Sequence, residues 1–179
     1  QVYFGPSRNP LTLPQNTMSW DDSLQEWTTA TGNAEAAALA QLADGAFYAA
    51  CPTAGEAGWG IVYKEDHEEE ILQADGETVK KIMINEASTL LNVVTNGKAP
   101  PEGFWLGGNK YRITRTDDNE ECGDHTLKWI QANYPKHGVH IVVTKSQIVV
   151  GFFDEDKQSS GNCKKVTCDF AAYLAGEGY

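Results

Sequence analysis

The chain has 179 residues, 41% of them hydrophobic, and sets 25 acidic against 14 basic side chains for a formal charge of −11. That length fits one domain around a single core, and no apolar run approaches the roughly 20 residues of a membrane-crossing helix. The negative charge repels nucleic-acid phosphates and anionic lipid surfaces, which excludes both as main partners.

Residues 1–17 hold three prolines and no apolar stretch behind a basic start, so they do not read as a secretory signal. They are expected to be a disordered extension or an expression remnant ahead of Met18, with one domain from 18 to 179. Cys51, Cys122, Cys163 and Cys168 match no secreted framework in a domain large enough to fold without staples, which predicts reduced thiols in a cytosolic protein.

Trp20, Leu24 and Trp27 share one helical face behind Ser19, Asp21 and Asp22, which supply N-terminal capping chemistry, so a helix is predicted from about Trp20 to Thr29. The Ala/Leu-rich run from Ala34 to Leu42 favours helix by propensity, with a short buried strand beginning in this run as the alternative. Ala46 to Ala50 then reads as a strand, and Trp59 to Tyr63 as a second short one.

An acidic stretch follows, with Asp75-Gly76 as a turn dipeptide inside it, predicting a small hairpin with arms near Glu70–Leu72 and Thr78–Lys80 within an arm spanning about 64–81. Ala87, Leu90, Leu91 and Val94 fall at helical spacing before Asn96-Gly97, which predicts a helix from Asn85. Strands are predicted at Phe104–Leu106, Lys110–Arg115, Val139–Thr144 and Gln147–Phe153, the last two as a tight hairpin; no element is assigned from 116 to 138. Val166, Phe170, Tyr173 and Leu174 predict a final helix from Asn162 to Ala175. Helices first, strands in the middle and a helix last is the order of an α+β fold with helices packed on an antiparallel sheet.

Three patterns compare with enzyme or metal chemistry and fall short of it. Cys122-x-x-His125 and His137-x-x-His140 have zinc-ligand residue types. His137 and His140, however, lie three apart on a predicted strand and point to opposite faces, so no metal is expected. Gly107-Gly108-Asn109-Lys110 lacks the phosphate-loop Lys-Ser/Thr and leads into a strand rather than a helix. Asp154-Glu155-Asp156 has no nucleophile arranged beside it. The sequence therefore reads as a binding protein without cofactor.

Met18-Ser19-Trp20 at the first helix, Trp105-Leu106-Gly107-Gly108-Asn109-Lys110-Tyr111 entering the central strands, and Ala172-Tyr173-Leu174 to Tyr179 at the end together resemble the profilin family over residues 18–179. Tyr63-Lys64-Glu65-Asp66-His67-Glu68-Glu69, Ile84 to Thr89, and Asp154 to Lys157 with Gly161-Asn162 resemble its apicomplexan branch, which carries an acidic arm. The resemblance implies a central antiparallel sheet flanked by helices on both faces, with the terminal helices adjacent.

It further implies a cytoplasmic, cytoskeletal monomer that binds monomeric actin and proline-rich segments such as those of formins, and so regulates actin polymerisation. The alternative it implies is a released antigen recognised by host innate receptors of the Toll-like type. By the same resemblance Trp20, Trp59, Tyr173, Leu174 and Tyr179 line the polyproline groove, where aromatic faces and N–H or O–H donors suit a polyproline II ligand. Ser23 stands where many profilins carry a groove Tyr, which implies reduced affinity for plain polyproline. The actin face is placed at Arg112, Gly161, Lys164, Lys165 and Asp169, with two lysines suited to steering toward an acidic partner. A phosphoinositide would have to rely on Lys110, Arg112 and Arg115 against the overall charge.

Overall fold

A computed structural model describes residues 19–179. The reading of residues 1–17 and of Met18 as the start lies outside the described residues.

Helix α1 (Trp20–Trp27) begins where Ser19 Oγ accepts the Asp22 backbone N–H at 3.1 Å, satisfying a donor that the helix itself leaves unpaired. Strands β1 (Ala36–Gln41) and β2 (Phe47–Cys51) follow, then α2 (Ala57–Val62). The acidic arm is the two-stranded hairpin β3 (His67–Leu72) and β4 (Val79–Ile84), longer than the sequence suggested. Its turn is organised by Asp75, which accepts from the backbone N–H groups of Glu77 and Thr78 and from the Thr78 hydroxyl.

Helix α3 (Glu86–Asn96) is capped by Asn85, whose Oδ1 accepts from Ser88 N at 2.9 Å, and ends on left-handed Gly97. Strands β5 (Phe104–Leu106), β6 (Asn109–Cys122), β7 (His125–Tyr134), β8 (His137–Val143) and β9 (Gln147–Asp154) lead to α4 (Ser160–Gly176), which Ser159 caps. Seven strands form one antiparallel sheet in the order β2-β1-β9-β8-β7-β6-β5.

β1 separates two apolar layers. Ala36, Ala38 and Ala40 join Val62 of α2 and Leu90, Val93 and Val94 of α3 on one face, whereas Ala37 and Leu39 join Leu24 of α1 and Phe170, Ala171 and Leu174 of α4 on the other. Period-two alternation of a strand buried on both sides produces this division. The sheet thus carries helices on both faces, with the first and last helices side by side.

Two predicted elements change type. Residues 36–41 form a strand rather than a helix, because Ala36 through Ala40 are fully buried between the helix layers, and pairing on both edges overrides the alanine helix propensity. Trp59–Val62 lies in a helix rather than a strand, held close to β2: a side chain on Gly58 would meet the Cys51 carbonyl at 2.5 Å. β7, to which no element was assigned, is a central strand, and β6 runs seven residues beyond its predicted end at Arg115.

Candidate functional site

The two chain ends build an aromatic cluster on the α1/α4 face. The Trp20 and Tyr179 rings meet edge to face at 5.3 Å, and Trp27 stacks on Tyr173 at 5.1 Å. Tyr48 joins the same layer from β2, its hydroxyl donating to Gln147 Oε1 at 3.0 Å. Trp20, Trp27, Tyr48 and Tyr173 remain half-buried, so the cluster keeps a surface for a ligand. Trp20 Nε1 is screened from solvent and has no hydrogen-bond partner among the described residues, an unusual state for a buried donor.

Of the five predicted groove residues the structure brings together Trp20, Tyr173, Leu174 and Tyr179, with Leu174 fully buried as their floor. It does not bring Trp59 to them, because α2 packs that ring against the α2/α3 layer on the opposite side of the sheet. Trp27 and Tyr48 stand in the cluster instead. Helical spacing from Trp20 and Leu24 already pointed to Trp27, and alternation along β2 sends Tyr48 to this face while Phe47 meets Tyr63 on the other. Ser23 is buried at 6% exposure and contributes no surface there.

A second surface surrounds the start of α4. Gly161, Lys164, Lys165 and Asp169 line one cavity of about 310 Å³ together with Glu120, Cys122 and Cys168. Lys164 Nζ reaches Glu120 Oε1 at 2.7 Å and lies 3.8 Å above the Trp129 ring, with the Arg115 guanidinium 5.4 Å from the same ring. Lys165 pairs with Asp169 at 2.7 Å one turn on. Arg112 lies opposite Asn133 in the β6–β7 ladder, on the side that also carries Gln131 and Trp129, so it shares the face but does not line the cavity. It borders a separate cavity of about 600 Å³ with Lys98 and Lys110.

The floor of this surface is a neutral histidine relay. Trp129 Nε1 donates to His140 Nδ1 at 3.1 Å, which leaves the His140 proton on Nε2 to donate to Ser160 Oγ at 3.0 Å. Burial pushes the His140 imidazole down to about 4.

The glycine-rich loop binds a carboxylate of its own chain. Fully buried Glu86 accepts the N–H groups of Gly107 at 2.7 Å and Lys64 at 2.8 Å on Oε1, and that of Gly108 at 2.7 Å on Oε2, which also lies 3.1 Å from His67 Nε2. Those amides are therefore taken, consistent with the absence of a phosphate-loop pattern. Gly107 is required here, since its φ is +61° and a side chain would strike the Ile61 carbonyl. His137 and His140 do point apart: His140 faces Trp129, while His137 stands 3.8 Å from Glu35 and close to Asp154. The Asp154 carboxylate accepts from Asp156 N at 2.9 Å and faces Lys157 Nζ at 3.9 Å.

Comparison with known proteins agrees with this architecture. The profilin family profile matches residues 18–179. Profilin of Plasmodium falciparum is 36% identical over 165 residues, 88% of this chain and 95% of the relative, and profilin of Plasmodium berghei is 32% identical over 163 residues, 87% and 92%. Acanthamoeba castellanii profilin II superposes with a TM-score of 0.62 at 21% identity, covering 90% of this chain and all of that one. Mouse profilin IIa, solved in complex with a double repeat from the FH1 domain of mDia1, superposes with a TM-score of 0.52 at 17% identity, over 90% of this chain and all of the other.

Proposed function

The chain belongs to the profilin family of actin-binding regulators, of the kind found in Plasmodium, and we propose that it docks an actin monomer around the start of α4 while proline-rich segments bind the aromatic cluster of α1, α4 and β2. It acts in the cytoplasm as a binding protein rather than an enzyme. No helix among the described residues is long and apolar enough to cross a membrane.

The observation that carries the proline-rich half is the half-open aromatic cluster in which Trp20 meets Tyr179 and Trp27 stacks on Tyr173. A polyproline II chain makes no internal hydrogen bonds, and its pyrrolidine rings stack on aromatic faces of this kind. The actin half rests on the family together with the cluster of Lys164, Lys165 and Arg112, where the two lysines are paired with Glu120 and Asp169, on a chain that is otherwise acidic.

Tryptophan fluorescence titrated with a proline-rich peptide tests the first half. A saturable change carried by Trp20 and Trp27 is expected; a flat titration leaves actin binding as the sole activity. Actin-monomer binding in the same preparation tests the second half independently.

A further inference from the structure

We propose that Cys122 and Cys168 form a reversible intramolecular disulfide that pins the β6–β7 turn to α4 and closes one wall of the 310 Å³ cavity. All four cysteines are free thiols in this structure, but these two differ from the others in their setting.

Lys164, Cys168 and Ala172 follow one another at four-residue intervals along α4, which places them in a single row on the helix. Each meets the end of β6 or its turn. Lys164 pairs with Glu120 at 2.7 Å, Cys168 and Cys122 line the same cavity and pack in one apolar cluster, and Ala172 Cβ lies 3.4 Å from where a side chain on Gly123 would begin. The two cysteines are thus set next to each other between an ion pair and a packing contact, and both border a cavity open to the surface. All four cysteines are buried, Cys122 at 1% and Cys168 at 7% exposure, but Cys51, which faces Thr28 Oγ1 at 3.4 Å, and Cys163, whose carbonyl accepts from the Thr167 hydroxyl, do not line this cavity.

With a low-molecular-weight disulfide as oxidant, one of the two cysteines loses its proton and its thiolate attacks a sulfur of that disulfide, forming a mixed disulfide and releasing one small thiolate. The other cysteine then gives up its proton and attacks the protein sulfur of the mixed disulfide, expelling the second small thiolate. Two protein thiols are oxidised, one small disulfide is reduced to two thiols, and two protons and two electrons are transferred.

The test is to incubate the full chain with oxidised glutathione, quench with acid, and digest without reductant for mass mapping. A linked Cys122–Cys168 peptide pair is expected, with the thiol count of the denatured protein falling from four to two and returning on addition of dithiothreitol. Four remaining thiols, a lasting glutathione adduct on Cys122, or linkage between chains would overturn the proposal. In Cys168→Ser, Cys122 should retain glutathione and no internal link should form; a link from Cys122 to Cys51 or Cys163 instead would sink the pairing. Because the mapping on the unmodified chain needs no variant, a misfolded substitution leaves the result readable.

Discussion

Lys164 Nζ sits 3.8 Å above the Trp129 ring, so this lysine is built into the fold as well as presented on the surface. Its neighbour Lys165 is exposed and, among the described residues, pairs with Asp169. The two lysines that look equivalent in sequence therefore separate into a structural and a steering cation. Lys165→Glu should leave thermal stability unchanged and weaken actin-monomer affinity about three- to tenfold, with a smaller salt dependence, as expected for an interfacial charge near the rim. Lys164→Glu should add a loss of roughly 1–2 kcal/mol in urea unfolding, because it breaks the Trp129 contact and repels Glu120. Unaltered actin affinity in both variants would place the actin face elsewhere.

Trp59 and Trp27 exchange places relative to the sequence expectation. Trp27→Ala should reduce binding of a proline-rich peptide at least tenfold, whereas Trp59→Ala should leave peptide affinity unchanged while lowering stability, since its ring packs on the far side of the sheet. Isothermal calorimetry beside urea unfolding separates the two outcomes. Loss of peptide binding in Trp59→Ala with intact stability would refute a groove built by α1, α4 and β2.

The Glu86 carboxylate ties α3, the glycine loop and the arm together through three backbone amides and His67. Glu86→Gln keeps the shape but puts an NH2 group where an amide or ring N–H must be accepted. A loss of about 2–4 kcal/mol is expected, since bonds to a buried charge are strong and their donors would be left unsatisfied. Hydrogen exchange should show β3 and β4 opening before the main sheet; uniform destabilisation would mean that Glu86 does not anchor the arm.

His140 has a folded value of about 4 against 6.5 for the free side chain, so the unfolded chain binds the proton more readily. Its contribution is complete above about pH 6.5 and is lost as pH falls toward 4, amounting to roughly 3 kcal/mol at the acid end. Denaturant unfolding between these values should show stability falling with acidification, and His140→Gln should flatten that slope. A slope unchanged by the substitution would assign the acid sensitivity to carboxylates instead.

What was legible in the sequence was local. Ser19, Asn85 and Ser159 have cap chemistry that works within one turn; Ser19 and Asn85 fell at predicted helix starts, while α4 begins two residues before the predicted Asn162. Asp75-Gly76 dictated its own turn, and the ordered motifs from Trp20 to Tyr179 already pointed to the family that the comparisons show. Tertiary structure decided the rest. Ala36–Ala40 becomes a strand only because neighbours on both edges and layers on both faces bury it, and small side chains let the helices approach. β7 mixes Thr126, Lys128, Gln131 and Asn133 with apolar residues, so its strand character comes from its partners rather than its pattern. The side of the sheet on which Trp59 lies, and the meeting of Cys122 with Cys168 across 46 positions of chain, depend on contacts between distant segments that no local propensity encodes.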